Sequence, residues 1–256
     1  MHFGRRGLQC GANETLDVLL DGRVRIIQRR DGYRVNQDSL RLCRFVRPMP
    51  GAAGIDLGAG CGIVAIVLSL EKKIKHMVAL ELQETLADLA RRNTVLNGLG
   101  GHADASGRAI DGISDHAEVH HTTDNGSGGH REAGVAACTG PHDRVEIIRG
   151  DILKVEKLFA PHSFDLAVSN PPYREAGRGR TGPSTERTIA RHEQACSLSE
   201  LLRAAAYILK PQGIFAFCQL RERWQEIAET LAAHDFIVSR REVVGAVVLV
   251  EAGKTP

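Results

Sequence analysis

The chain has 256 residues, 43% hydrophobic and 25% charged, enough for one domain with a full apolar core and too apolar for a disordered polyelectrolyte. A net charge of +2 names no partner, and the absence of an 18-residue apolar run excludes a transmembrane helix. Six cysteines without a C-x-x-C pair exclude a disulfide framework and a cysteine-rich zinc site, and no leader pattern is evident, so a soluble cytoplasmic protein with reduced thiols is expected.

Charge is unevenly spread. Between residues 1 and 50 there are 10 arginines, no lysine and 5 acids. Arginine forks onto phosphate and stacks on bases better than lysine does. In this region Asp17 to Val35 alternates in polarity around Asp21-Gly22 and Asp31-Gly32, which predicts a small hairpin. The stretch NQDSLRLCRFV predicts a helix with Asp38 or Ser39 near its N-cap, ended by Pro48 and Pro50. Residues 1–48 are therefore read as a basic N-terminal extension, and 49–256 as the main domain.

From Gly51 the pattern changes to alternating strands and helices. GIDLG is a short buried strand, GIVAIVLSLEKK a helix, HMVALEL a strand and QETLADLARRNTVLNGL a helix. RVEIIRGD and FDLAVSN are further strands, followed by helix LSELLRAAAYILK, strand GIFAFCQL and helix RERWQEIAETLAAHD. Two closing strands in FIVSRREVVGAVVLVE, parted only by Gly245, predict an antiparallel pair. The order specifies an α/β fold with a doubly wound, mostly parallel, seven-stranded sheet and an antiparallel edge strand.

Residues 100–144 interrupt this order. They are rich in Gly, Ala, Asp and His, with few large apolar side chains, and predict a disordered insertion. The histidines, among them His116, His120 and His121, are irregularly spaced and lack Cys partners, so no metal site is expected.

The first strand of the main domain runs into IDLGAGCGI, which places Asp56, Gly58, Gly60 and Gly62 at a tight strand-to-helix turn. Glycines there let a ligand touch main-chain atoms. The spacing is G-x-G-x-G rather than the dinucleotide pattern G-x-G-x-x-G, which argues against a nicotinamide-dependent dehydrogenase. At the next strand end Glu81 can accept hydrogen bonds from two ribose hydroxyls. At the one after, Asp151 suits an adenine amino group. This combination resembles the class I S-adenosyl-L-methionine-dependent methyltransferases, whose fold is Rossmann-like. The resemblance implies S-adenosyl-L-methionine as cofactor, with Asp56 and the loop glycines at its methionine part, Glu81 at its ribose and Asp151 at its adenine.

The fourth strand ends in SNPPY, placing Asn170, Pro171, Pro172 and Tyr173 beside the expected sulfonium, so that Asn170 also borders the cofactor. In methyltransferases with this motif, the resemblance implies, it holds a planar NH2 group. Such an amine is a poor nucleophile because its lone pair is delocalised. It needs acceptors rather than a strong base. The Asn170 side-chain oxygen and the Pro171 carbonyl can accept its two N–H bonds and stabilise the charge that develops on nitrogen. The two prolines pre-aim that carbonyl, and Tyr173 can stack on a flipped base. Adenine N6, guanine N2, cytosine N4 and a glutamine amide all meet this description.

The flanks favour nucleic acid. Arg174, Arg178, Arg180 and Arg187 follow the motif in a glycine-rich stretch suited to phosphate contacts. GYRVNQDSLRLCRFV, IDLGAGCGI, SNPPY and ARHE in that order resemble the bacterial tRNA adenine-N6 methyltransferases that modify the adenine beside the anticodon of a valine tRNA. The resemblance implies tRNA as partner, with no membrane and no required metal, and leaves the oligomeric state open. The insertion at 100–144 and the short tail after the last strand depart from that pattern. Three alternatives share these features: a protein glutamine N5-methyltransferase of the release-factor type, a ribosomal-RNA base N-methyltransferase, and an inactive RNA-binding methyltransferase fold. Tyr33 is expected to be a core residue and Cys61 small-residue filling rather than a nucleophile.

Overall fold

The computed structural model describes residues 10–32, 34–47, 49–100, 144–171 and 196–255. Tyr33, most of the insertion, Pro172, Tyr173, Arg174, Arg178, Arg180 and Arg187 lie outside the described residues.

A hairpin comes first, strand β1 at Glu14–Leu19 paired with β2 at Val24–Arg29. Its turn uses Asp21-Gly22, with Leu20, Asp21 and Gly22 all at positive φ. The second Asp-Gly signal, at 31–32, is a bend that starts no further strand. Helix α1 follows at Gln37–Phe45. Its N-cap is Asn36, two or three residues before the position read from the sequence. The Asn36 Oδ1 accepts the Ser39 N–H at 3.0 Å, which satisfies one of the donors that a helix start leaves over.

The main sheet is built from β3 (Ala53–Leu57), β4 (His76–Glu81), β5 (Arg144–Arg149), β6 (Phe164–Ser169), β7 (Leu209–Leu220), β8 (Phe236–Val244) and β9 (Val247–Lys254). Their spatial order is β5-β4-β3-β6-β7-β9-β8. Every pairing from β5 to β7 is parallel, while β9 is antiparallel to both its neighbours. The expected seven-stranded, doubly wound sheet is present, and the reversed strand lies one place in from the edge. The order reverses between β3 and β6, so their C-terminal ends flank the crevice where open α/β sheets bind ligands.

Helices α2 (Ile63–Lys72), α3 (Glu84–Leu96), α4 (Val155–Leu158), α5 (Leu198–Ile208) and α6 (Trp224–Ala233) cover the two faces. The side chains alternate between two cores. Met77, Ala79, Leu166 and Val168 face the layer of α1, α2 and α3, whereas Ile55, Leu57, Val78 and Leu80 face α5 and α6. A capping box starts α5: Ser197 Oγ accepts the Glu200 N–H at 3.2 Å, and the Glu200 carboxylate accepts the Ser197 N–H at 2.8 Å. Strand β7 starts earlier than Gly213, where the sequence pattern put it. A register shift between Leu209 and Ile214 accommodates Pro211, which could not donate to a regular ladder.

The N-terminal hairpin and α1 share the first core, burying Val24, Ile26, Ile27, Leu42, Cys43 and Phe45 with α2 and α3. Helix α3 supplies the polar partner that β2 lacks on its open side. The fully buried Asn93 accepts the Ile27 N–H at 2.7 Å, and its amide donates to the carbonyls of Ile27 and Cys61. Arg92 forms a two-pronged pair with Glu14 at 2.7 Å on each prong, which holds the Glu14 carboxyl below its ordinary range. No helix among the described residues is long and apolar enough to cross a membrane.

Candidate active site

The glycine loop joins β3 to α2 at the strand-order reversal. Gly58, Gly60 and Gly62 have φ of +80°, +58° and +84°. This left-handed backbone is why glycine recurs at every second position. At Gly62, the N-cap of α2, an added Cβ would also meet Ala90 Cβ at 3.2 Å. The loop is tied to β4: the N–H groups of Gly58 and Ala59 both donate to the Leu80 carbonyl, and the Gly60 N–H donates to Glu81 Oε2 at 2.8 Å.

Asp56 lies one residue before the end of β3 and is 1% exposed. Its Oδ2 has no hydrogen-bond partner among the described residues. Burial pushes its carboxyl up to about 7; the Ala65 N–H in the first turn of α2 pulls the other way, and the Glu81 charge pushes up further. A buried carboxylate with an orphaned oxygen is costly unless something cationic or donating reaches it.

Glu81 ends β4 and is also 1% exposed, so it is no solvated strand end. Its two oxygens accept the N–H groups of Gly60 and Gln83, each at 2.8 Å. Asp151 is different again. It is half-buried, caps a single 3-10 turn by accepting the Leu153 N–H at 2.9 Å, and lies 3.7 Å from Lys154 Nζ. The sequence pattern singled it out for its position and missed this local capping.

Asn170 follows the last residue of β6, across the crevice from the glycine loop. Asp56, Gly58, Gly60, Ser39, Val35 and Asn170 line one cavity. The structure thus brings together the first acid, the loop and the motif asparagine, with Pro171 next to it in chain. Two residues that the sequence reading left in a structural role join them: Ser39 lines the cavity, and Asn36 stands beside Asn170. Both lie in the stretch GYRVNQDSLRLCRFV that carries part of the resemblance, but neither that nor the helix-cap pattern says anything of a contact 134 positions away. Asn170 Nδ2 donates to Ser39 Oγ at 2.7 Å and to Asn36 Oδ1 at 3.3 Å. Its Oδ1 accepts from Cys218 Sγ in β7 at 2.8 Å.

Cys61 is 4% exposed, and burial pushes its thiol up to about 12, the state of an inert space-filler. Among the described residues no three His, Cys, Asp or Glu side chains converge into a metal-holding group. Half of the ten arginines before residue 50 form ion pairs within the chain. Arg23, Arg29, Arg34, Arg41 and Arg47 pair with Glu71, Asp31, Asp17, Asp38 and Glu251.

No family model matches the chain. Solved structures with the same architecture include methyltransferases. One from Pyrococcus furiosus superposes with a TM-score of 0.56 at 17% identity, covering 91% of this chain and 90% of that one. The ribosomal protein L11 methylase of Lactobacillus delbrueckii subsp. bulgaricus gives 0.51 at 14% identity, covering 86% and 78%. The protein therefore has the class I methyltransferase fold. Its curated homologues include the tRNA1(Val) (adenine(37)-N6)-methyltransferase of Porphyromonas gingivalis, 26% identical over 88% of this chain and 73% of that protein. Proteins of the same name from Bacteroides thetaiotaomicron and Tolumonas auensis are 26% and 35% identical over 63% and 38% of this chain. The chain matches 48% and 39% of those two proteins' lengths.

Proposed function

We propose that the protein is an S-adenosyl-L-methionine-dependent N-methyltransferase that methylates N6 of an adenine in tRNA. The observation that carries this reading is the junction of Asn170 with Asp56 and the glycine loop in one cavity at the strand-order reversal. The homologues named for tRNA adenine-N6 methylation support the choice of base and RNA.

The residues present fit the cofactor. Its methionine part carries an ammonium group and a sulfonium, and the orphaned Asp56 carboxylate is a buried partner for such a cation. The left-handed glycines leave the loop backbone open to close approach, and Glu81, buried at the end of β4, would accept from the ribose hydroxyls with the lone pairs that its bonds to Gly60 and Gln83 leave over. Asp151 is the adenine contact in this reading, with its second oxygen near Lys154 as the competing interaction.

When bound, S-adenosyl-L-methionine supplies a methyl carbon made electrophilic by the attached sulfonium. The chain's own task is to aim the amine. The Asn170 oxygen and the Pro171 carbonyl accept the two N6 hydrogens, which turns the nitrogen lone pair out of conjugation and toward the methyl carbon. These two oxygens would also stabilise the positive charge that develops on nitrogen during methylation. One N6 proton then passes to solvent. Holding amine and methyl in line contributes roughly 7–11 kcal/mol in favourable systems. Tyr173 stacks the flipped base, and Arg174, Arg178, Arg180 and Arg187 contact phosphates; these roles rest on the sequence pattern.

The test separates RNA from protein substrates. The enzyme is incubated with methyl-labelled S-adenosyl-L-methionine and a bacterial extract, with and without ribonuclease. Label in tRNA-sized material that ribonuclease abolishes is expected. Label that survives ribonuclease in a protein would replace this reading with glutamine methylation.

A further inference from the structure

We propose that α1 sets the direction of the reactive amide: Asn36 and Ser39 are positioning residues that dictate which end of the Asn170 carboxamide faces the substrate. The proposal rests on the reading above, in which the Asn170 oxygen accepts a substrate N–H. The two ends of a primary amide have nearly the same shape and opposite hydrogen-bonding character. Turned the wrong way, Asn170 would present two N–H donors to an amine that also presents two. Something must break the symmetry.

The chain of hydrogen bonds starts at a group that can only donate. The Ser39 backbone N–H meets the Asn36 side chain at 3.0 Å, so the Asn36 atom there is the oxygen. The Ser39 hydroxyl donates to the same oxygen at 3.2 Å and so turns its lone pairs outward. Asn170 therefore faces two acceptors, Ser39 Oγ at 2.7 Å and Asn36 Oδ1 at 3.3 Å, and only its NH2 end suits them. Its oxygen is turned the other way, toward Cys218. A thiol is a weak donor, and a carbonyl oxygen has two lone pairs, so a substrate amine can compete there.

The helix that carries this instruction is anchored at its far end as well. Leu42, Cys43 and Phe45 are buried. The Arg240 guanidinium of β8 lies 3.9 Å over the Phe45 ring, donates to the Phe45 carbonyl and pairs at 3.0 Å with Glu251, which is 2% exposed. An orientation passed on by α1 is thus referred to the sheet that also holds Asn170 and the glycine loop.

The test compares Ser39→Ala, Asn36→Ala, Asn36→Asp and Asn170→Ala, using tRNA free of N6-methyladenosine and S-adenosyl-L-methionine. The kcat and KM for tRNA, the cofactor Kd and the Tm are measured for each. Ser39→Ala and Asn36→Ala lower kcat by about 10- to 100-fold while KM and cofactor Kd stay within about threefold. Asn36→Asp, which still caps the helix and still offers only acceptors to Asn170, recovers most of that loss. Should Asn36→Ala unfold, Ser39→Ala decides. A wild-type kcat in Ser39→Ala, or a loss matched by an equal loss of cofactor affinity, overturns the proposal while Asn170→Ala remains inactive. Full turnover in Asn170→Ala overturns the reading beneath it.

Discussion

The C-terminal ends of β3 and β5 each carry an aspartate, in strands that flank β4 in the same sheet, and the protein surrounds the two in opposite ways. Asp56 is buried, with one oxygen unpartnered among the described residues and its carboxyl pushed up to about 7. Asp151 is half-buried and has its needs met within three residues, by Leu153 and Lys154. Position at a strand end is thus a poor guide to an acid's task. What separates the two is the partner that is missing: a buried charge left incomplete gains most from a ligand, and a locally completed one gains less.

Replacing each acid sharpens the contrast. On the proposed reading Asp56→Asn removes a charge that pairs with the cationic cofactor, and S-adenosyl-L-methionine affinity by calorimetry should fall about 10- to 100-fold, the ~1.5–3 kcal/mol of a charge-assisted contact. The wild-type affinity should rise with pH up to about 7, because a cationic ligand favours the ionised carboxylate, and this dependence should vanish in the variant. Stability without ligand moves the other way. The folded-state value of about 7 lies above the ordinary 3.8, so the folded protein holds a proton that the unfolded chain has released between those values. Stability therefore falls as pH rises through that window, and Asp56→Asn should raise the Tm at pH 8 by more than at pH 5. An unchanged affinity and a flat pH profile would remove the distinction between the two aspartates.

Next in size is the glycine loop that follows Asp56. Gly62→Ala forces a side chain into a left-handed φ and against Ala90, and should cost about 1–3 kcal/mol in denaturant unfolding. The smallest effect is expected at Asp151. Asp151→Ala removes the cap of one 3-10 turn, about 1 kcal/mol or less. A cofactor affinity loss larger than that of Asp56→Asn would reverse the assignment and make Asp151 the principal cofactor contact.

The sheet was legible because its signals are local. Apolar runs such as VALE and LAVS alternate with amphipathic helices, and GAGCG marks one turn by its spacing alone. The short helix α4 was not legible, since four residues carry no period. Of the site, Asp56, the glycines and Asn170 were readable from motif and order. The contact of Asn36 and Ser39 with Asn170 was not, because it spans more than 130 residues, although both lie in a stretch that carries part of the resemblance. Composition leaves the task of the basic N-terminal region open. The arginines before residue 50 suggested phosphate contacts, yet five of them pair with carboxylates of the chain itself.

Nucleoside mass spectrometry of unmodified bulk tRNA, incubated with S-adenosyl-L-methionine and either the wild-type protein or Asn170→Ala, tests the central claim most directly. The account predicts new N6-methyladenosine with the wild type and a loss of about 1,000-fold or more with the variant, whose cofactor binding by calorimetry stays intact. Equal N6-methyladenosine from both proteins, or a methylated base other than adenine, would contradict it.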